Sequence, residues 1–318
     1  MGKVLLTKKL GEKHKALFEG IPALEFVFVP DGEQGFFKDQ MKEAQAVLLS
    51  TAYDVPRDVI ESAKNLKVIS RTGVGVDNVD IKAASEKGIL VLNTPAANAV
   101  SVAEHAVSMI VALSKQLLPY DKELRAGNFF IRRSGKASDL NGKILGLVGC
   151  GNIGKSAANM CRAAFDMQVI GYDPYIKELD ACTMYEDIEE VFQRADFISL
   201  HLPLTPETKN LVGEKLLSLM KPTAYIINTA RGGIIDEQAL TKALQNDKIA
   251  GAGLDVFELE PPEADNPLLT LPNVILTPHS AALTKECSAR LTDQAVEGIH
   301  DYLKGDMPQF VYNKELLK

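Results

Sequence analysis

Hydrophobic runs of membrane-spanning length are absent from this chain. Its apolar stretches are short, and the first, in MGKVLLTKKL, stops at Lys8 and Lys9, too early for a secretory signal. No membrane partner is expected, and a cytoplasmic protein is. Blocks of basic residues are missing too: 35 Lys and Arg face 42 Asp and Glu, a net charge of −7, which leaves no cationic stripe for nucleic acid. Cysteine is scarce. Cys150, Cys161, Cys182 and Cys287 lie without metal-ligand spacing, which argues for reduced thiols and no metal centre. Cys150 has no sequence neighbour that would activate it and reads as a small residue tolerated where it stands. Tryptophan, low-complexity tracts and disordered linkers are also lacking. What is present, 46% hydrophobic and 24% charged residues, is the balance of a globular protein, and 318 residues suffice for two domains with a core each.

The most informative stretch is residues 141–173, NGKILGLVGCGNIGKSAANMCRAAFDMQVIGYD. Residues 143–148 are an apolar run expected to form a buried parallel strand, and Gly149, Gly151 and Gly154 follow with G-x-G-x-x-G spacing. The first glycine permits a tight turn, the second lets a pyrophosphate approach the backbone, and the third lets the next helix pack close to its strand. Amides at the start of that helix, near Ile153, together with its dipole, would hold the phosphate charge. A second apolar run, 167–172, ends at Asp173, about 20 residues past the glycines, where an acid binds the adenosine ribose diol. A carboxylate there repels a 2′-phosphate, and Pro174 and Tyr175 bring no arginine to attract one. NAD is therefore expected rather than NADP.

Ahead of this stretch, residues 1–98 alternate short apolar runs (3–7, 24–29, 46–49, 66–70 and 89–92) with helical segments, the pattern of a parallel sheet covered by helices. The run 66–70 leads into Arg71-Thr72-Gly73-Val74-Gly75-Val76-Asp77-Asn78. Its spaced glycines expose amides that suit a carboxylate, and Arg71 adds a charge-assisted bond. A turn with a surface arginine fits the same residues. Residues 93–98 are turn-rich, and Ser101 is a candidate cap for a helix over 102–118 whose apolar faces predict burial at a domain or subunit boundary. Glu104 and His105 within it read as packing or capping groups. Residues 125–139, with Phe129, Phe130, Arg132 and Arg133, form either an arm toward a partner or a solvated loop.

After the glycine stretch come strands over 197–200, 224–228, 252–254 and 274–276. They end in His201-Leu202-Pro203, in Thr229-Ala230-Arg231-Gly232-Gly233, in Asp255 with Glu260-Pro261-Pro262 beyond, and in Thr277-Pro278-His279; Asp236 is placed to cap a helix. In an open parallel sheet, loops at the carboxyl ends of the strands share one crevice, which puts Arg231, Glu260 and His279 on one rim. A helix over 284–304, closed by Gly305, returns to the first domain. The expected domains are thus 1–98 with 283–318, and 99–282.

Arginine, glutamate and histidine beside a nicotinamide are the groups that interconvert a 2-hydroxy acid and a 2-oxo acid. The Arg231 guanidinium can engage a carboxylate and a carbonyl oxygen together, and an imidazole, which titrates near neutral pH, suits His279 to exchange the proton. Glu260 at its other nitrogen would orient the ring and favour its charged form. Singly, each also reads as a helix cap, a surface acid or a core histidine.

Seven motifs in order then carry a resemblance: RTGVGVDNVD, NTPAANAVSVAEH, GLVGCGNIGKS with GYDP, HLPLTPET, NTARGGIIDE, AGAGLDVFELEPP and LTPHSAALTKE. From end to end the chain resembles the D-isomer-specific 2-hydroxyacid dehydrogenase family, and it is most similar to the D-3-phosphoglycerate dehydrogenase branch. The resemblance implies two doubly wound parallel-sheet α/β domains, a Rossmann NAD domain inserted into a flavodoxin-like substrate domain, and a homodimer formed through the NAD domain. It implies Arg231 for substrate, His279 as proton donor and Glu260 as its partner. Val74, Gly149, Gly151, Asn152, Ile153, Gly154, Asp173, Leu202, Thr208, Thr229, Ala230, Asp255 and Ala281 would line the cofactor. Arg71, the backbone of Gly73, Val74, Gly75 and Val76, and Asn98 would contact the substrate.

The chain departs from the family after the histidine, where Ser280-Ala281-Ala282-Leu283 replaces the usual His-[Ile/Leu]-Gly and leaves the choice of substrate open. The missing tryptophan fits poorly with reductases that narrow their pocket with an indole. The short C-terminus predicts no serine-sensing module. Arg71, Arg132 and Arg133 are candidates for a distal phosphate. The alternatives are a hydroxypyruvate, glyoxylate or other 2-oxo acid reductase and, outside the enzymes, an NAD-sensing protein akin to the corepressors that share this fold; no evident partner-binding tail supports the latter.

Overall fold

Runs rich in valine, isoleucine and leucine, too short for helices and flanked by turn residues, form most of the twelve strands found among the described residues, in two separate sheets. In the computed structural model, which describes residues 2–21 and 24–317, the chain divides into two units: Met1–Asn98 with Thr284–Lys318, and Ala99–Leu283.

The first unit holds β1 (Gly2–Leu6), β2 (Leu24–Phe28), β3 (Ala46–Leu49), β4 (Val68–Arg71) and β5 (Leu90–Leu92), all parallel, in the order β2-β1-β3-β4-β5. This is the flavodoxin-like order. Alternate residues feed opposite faces. Val47, Leu49, Ile69 and Val91 pack with Phe37, Met41 and Tyr53, while Ala46, Leu48, Val68 and Leu90 pack with Ala295, Val296 and Ile299 of the helix Lys285–Lys304. Fully burying one such aliphatic side chain contributes about 1.5–3 kcal/mol. Thr284 caps that helix by accepting from the Cys287 amide, and Gly305 ends it at φ 91°. Gly298 lies where a Cβ would stand 2.8 Å from Leu92, so the helix backbone comes close to the sheet and Ser70 Oγ reaches the Ala295 carbonyl at 2.8 Å.

The second unit holds β6 (Ile144–Val148), β7 (Gln168–Tyr172), β8 (Thr183–Met184), β9 (Phe197–Leu200), β10 (Tyr225–Asn228), β11 (Gly251–Leu254) and β12 (Val274–Leu276), in the order β12-β11-β10-β9-β6-β7-β8. This is the Rossmann order extended by one strand, and the direction of winding reverses between β6 and β9. Leu145, Leu147, Phe197 and Ile227 pack on one face of the sheet, and Val148, Ile198, Leu200 and Ile226 on the other. Both units are doubly wound parallel-sheet α/β folds.

Three local expectations change. The helix expected over 102–118 is two helices, Ala99–Ser114 and Leu117–Arg125, separated by Gln116 in a left-handed conformation at φ 54°. Pro119 explains the break, because it fits the first turn of the second helix but could not continue the first. Ser101 consequently lies inside the first helix instead of capping it. Strand β8 was not anticipated, since a two-residue edge strand carries no apolar run of its own. Among the described residues, no helix is long and apolar enough to cross a membrane.

Candidate active site

The reversal point between β6 and β9 opens onto the glycine turn, and the three glycines there are glycines for different reasons. Gly149 has φ 95°, and a Cβ on it would overlap the His201 carbonyl; a Cβ on Gly154 would overlap the carbonyl of Gly149. Both are demanded by the protein's own packing. Around Gly151 a Cβ would meet nothing within 4 Å, so no internal contact requires a glycine at that position. A ligand approaching the backbone there does require it. Gly151 is also the N-cap of the helix Asn152–Phe165 and supplies no side-chain cap, so Asn152, Ile153 and Gly154 open a helix whose dipole faces that space. The buried Thr229 Oγ1 has no hydrogen-bond partner among the described residues. Open space at Gly151, an uncapped helix start and an orphaned hydroxyl after β10 together fit a dinucleotide.

Asp173 closes β7. Its carboxylate accepts from the amides of Cys150 at 2.9 Å, Tyr175 at 2.8 Å and Ile176 at 3.0 Å. These bonds tie the end of β7 to the glycine turn and leave acceptor capacity for a ribose hydroxyl. Leu202 lies against Gly149, and Thr208 Oγ1 closes its own loop by donating to the Pro203 carbonyl at 2.7 Å.

Neighbouring strands β10, β11 and β12 carry Arg231, Glu260 and His279 in the loops at their carboxyl ends. Asn228 shapes the first loop, accepting from the Ala230 amide at 3.0 Å and donating to the Arg231 carbonyl at 2.9 Å. Gly232 packs against the backbone of Phe257, where a side chain would collide, so the arginine loop sits directly beside the loop of Glu260. Glu260 is held at both oxygens: Oε1 accepts from the Phe257 amide at 3.1 Å, and Oε2 lies 2.6 Å from His279 Nδ1. An ionised carboxylate only accepts, so Nδ1 carries a proton and Nε2 is directed elsewhere. His279 itself sits at φ 50°, fixed by its amide donating to the Asp255 carbonyl at 2.7 Å. Its imidazole is 45% exposed, open to a reactant. An apolar cavity of about 420 Å³ adjoins the pair, with Phe257, Pro261, Leu276 and Pro278 in its wall.

Beneath the rim, Asp255 is 0% exposed. Its carboxylate accepts from Thr277 Oγ1 and from the amides of Ser280 at 2.8 Å and Ala281 at 2.9 Å. His105 Nε2 reaches Thr277 Oγ1 at 3.0 Å. Asp255 therefore holds the turn that presents His279, and the unusual Ser280-Ala281 pair leaves that main-chain scaffold in place. His105 thus joins this network from the helix Ala99–Ser114, through Thr277.

In the first unit, Arg71 is the last residue of β4, not a loop residue. It is 8% exposed, and its guanidinium folds over Gly73 and donates to the Thr72 carbonyl at 2.8 Å. The Val74 carbonyl accepts from Asn93 Nδ2 at 2.8 Å, and Asn98 Oδ1 is buried without a partner among the described residues.

One histidine and two arginines of the sequence reading take on definite surroundings in the structure. His201, part of a motif in the sequence, is half-buried just past the end of β9, with Nε2 3.0 Å from Ser199 Oγ, and burial of the ring pushes its imidazole down to about 4. Its position after a buried strand was the available signal. Arg132 and Arg133 stack on Phe129 and Phe130 of their own exposed turn, 5.2 and 4.8 Å from the ring centres. That turn leads toward the amino end of β6, beside the end of helix Ala99–Ser114, whose neighbour Gln116 contacts Tyr225 at the start of β10.

Residues 107–281 match the model of the D-isomer specific 2-hydroxyacid dehydrogenase, NAD binding domain, family. The chain is 43% identical over 317 residues to a D-3-phosphoglycerate dehydrogenase of Methanocaldococcus jannaschii, covering 98% of this chain and 60% of that protein. The chain thus spans little more than half the length of this longer relative. It is 44% identical over 259 residues to a hydroxypyruvate reductase of Thermotoga maritima, covering 81% of this chain and 84% of that protein. A D-lactate dehydrogenase of Aquifex aeolicus, solved with NAD and lactic acid, superposes with a TM-score of 0.83 at 31% identity over 96% of each chain.

Proposed function

The chain belongs to the D-isomer-specific 2-hydroxyacid dehydrogenase family, and from that membership we propose that it is an NAD-dependent enzyme interconverting a D-2-hydroxy acid and its 2-oxo acid. The observation that carries the proposal is the 2.6 Å contact of His279 Nδ1 with Glu260, on a rim shared with Arg231 and built on the sheet that carries the glycine turn.

Gly149, Gly151, Asn152, Ile153 and Gly154 hold the pyrophosphate, Asp173 the adenosine ribose, and Leu202, Thr208, Thr229, Ala230 and Ala281 line the remainder of the cofactor's path, while Asp255, expected there from the resemblance, is enclosed behind them and holds the turn of His279. NAD is favoured over NADP because the carboxylate of Asp173 repels a 2′-phosphate. The bound cofactor supplies the hydride that the carbonyl carbon accepts. Arg231 grips the carboxylate and polarises the carbonyl oxygen. His279 delivers a proton from Nε2 to that oxygen and takes it back in the oxidative direction. Glu260 fixes the orientation of the ring through Nδ1. Arg71, Gly73, Val74, Gly75 and Asn98 are the first unit's substrate residues in this reading, and Val74 serves the cofactor as well.

D-3-Phosphoglycerate is the substrate favoured by similarity to the longer relative. Hydroxypyruvate or glyoxylate, or another 2-oxo acid, is the second reading, favoured by similarity to the hydroxypyruvate reductase and by the stacking of Arg132 and Arg133 on the phenylalanines of their own turn, which engages two of the three cations considered for a phosphate clamp. The exposed Leu117, Leu118, Leu124, Phe129 and Phe130 support a homodimer through this unit, and four free thiols support a reducing, cytoplasmic setting. The test is NADH oxidation over a panel of 2-oxo acids, with kcat/KM for 3-phosphohydroxypyruvate set against hydroxypyruvate. A preference above about tenfold, or 1.4 kcal/mol, for the phosphorylated acid supports the first substrate, and its reverse the second. No oxidation of NADH by any 2-oxo acid would reject the enzyme and favour an NAD-sensing protein.

A further inference from the structure

Three sulfur atoms meet where the linear sequence keeps them apart. Cys150 follows the first glycine of the turn, whereas Cys182 and Met184 stand two residues apart at edge strand β8 and so present their side chains to one face. Met184 Sδ lies 3.8 Å from Cys150 Sγ and 3.7 Å from Cys182 Sγ. Gly171 of β7 adjoins all three. A Cβ on it would stand 2.9 Å from Cys150 Sγ, 3.1 Å from Cys182 Sγ and 3.2 Å from Met184 Sδ. The three sulfurs therefore gather beside Gly171, whose lack of a side chain leaves them room to approach one another.

Three donors in a trigonal plane around one ion, each at about the 2.3 Å of a metal–thiolate bond, are about 4 Å apart. The two sulfur spacings above come within a few tenths of an ångström of that value. Two thiols and a thioether select a soft ion, and Cys182 and Met184, both only half-buried, leave it a way in. Burial pushes the Cys150 thiol up to about 12 and that of Cys182 up to about 11. Both are protonated at neutral pH and are poor nucleophiles for disulfide chemistry, whereas a tightly held soft ion displaces such protons.

We propose that Cys150, Cys182 and Met184 form a site for a soft monovalent cation of the Cu(I) or Ag(I) kind, and that filling it weakens dinucleotide binding at the adjoining glycine turn. One cation enters, two thiols lose their protons to solvent, and no oxidation state changes. A neutral cluster thereby acquires a net charge of about −1. That charge develops on the side chain of the residue between Gly149 and Gly151, whose amide donates to Asp173 at 2.9 Å and so ties the cluster to the turn. The coupling rests on the glycine turn being the dinucleotide site; the metal site stands without it.

Anaerobic titration of the full chain with Cu(I), supplied in acetonitrile and competed against bicinchoninate, tests the site. One tight equivalent per chain is expected, weakened at least about tenfold by Cys182→Ser and by Met184→Leu. Cys161→Ser, at a buried thiol outside the cluster, is expected to keep it. NADH binding, followed by its own emission, should weaken on adding Cu(I) to the wild type, recover when the chelator is added, and not respond in the two cluster variants. Absence of a saturable equivalent, or equal Cu(I) affinity in wild type and both cluster variants, overturns the site. Tight Cu(I) binding that leaves wild-type NADH affinity unmoved overturns the coupling.

Discussion

Replacing Gly151 by alanine separates what the glycine turn does for the fold from what it does for a ligand. The backbone of Gly151, at φ −68° and ψ −160°, is extended and open to alanine, and the new methyl group would meet no atom within 4 Å. The free chain should therefore melt where the wild type does, or gain about 0.4–1 kcal/mol from the lower entropy of its unfolded state. The cofactor should respond differently. A methyl group over the turn holds the pyrophosphate away from the amides that would bind it, and each charge-assisted hydrogen bond lost costs about 1.5–3 kcal/mol. One such loss raises the Kd for NADH by about 10- to 100-fold. Gly154→Ala is the control, because its methyl group meets the Gly149 carbonyl and overpacking of this kind costs about 1–3 kcal/mol of stability before any ligand is added. Thermal melts of the free chain, paired with NADH titrations followed by the nucleotide's emission, read both quantities. A Gly151→Ala protein that melts as early as Gly154→Ala and still binds NADH like the wild type would refute the reasoning.

Other outcomes are expected. His279→Ala should lower kcat by about 10²- to 10⁴-fold with NADH affinity preserved, and turnover within twofold of the wild type would remove His279 from the chemistry. Glu260→Gln keeps a group beside Nδ1 but discards the charge, so kcat should fall by less than in His279→Ala; a larger fall would point to a role beyond orienting the ring. The unfolded chain protonates His201 below about 6.5, whereas the folded chain holds it neutral down to about 4, so its contribution to stability is complete above pH 6.5 and is lost as pH falls toward 4, by on the order of 3 kcal/mol. His201→Asn should flatten that limb of the melting-temperature profile, and an unaltered limb would contradict the assignment. Arg132→Ala with Arg133→Ala should change the preference between phosphorylated and unphosphorylated 2-oxo acids by less than about twofold; a tenfold loss, 1.4 kcal/mol, would mean that these arginines reach a substrate after all.

The alternation of short apolar runs with helical segments was sufficient for two parallel sheets, since strand length, turn residues and helix period are all local properties of the chain. Topology then put Arg231, Glu260 and His279 at one end of one sheet, because loops after parallel strands emerge on the same side. Local rules also reached the glycine turn and Asp173, where spacing along the chain maps directly onto strand, turn and helix. They failed at Gln116, where a proline three residues on redirected a helix whose apolar pattern ran straight through, and at β8, too short for any pattern.

Residues distant in sequence were settled only by strand order and packing. Asp255 looks like an acid at a strand end; enclosure and three donors from 277–281 make it the anchor of the turn that presents His279. Arg132 and Arg133 look like phosphate ligands in the sequence, whereas in the structure they stack on Phe129 and Phe130 of their own turn. Cys150, Cys182 and Met184 show no ligand spacing, yet pairing of β7 with β8 closes them around Gly171. Sequence by itself determined the elements and the end of the sheet at which chemistry gathers, because those follow from steric and hydrophobic preferences within a few residues. Tertiary structure alone decided which side chains meet, because contact across strands depends on their order, register and burial.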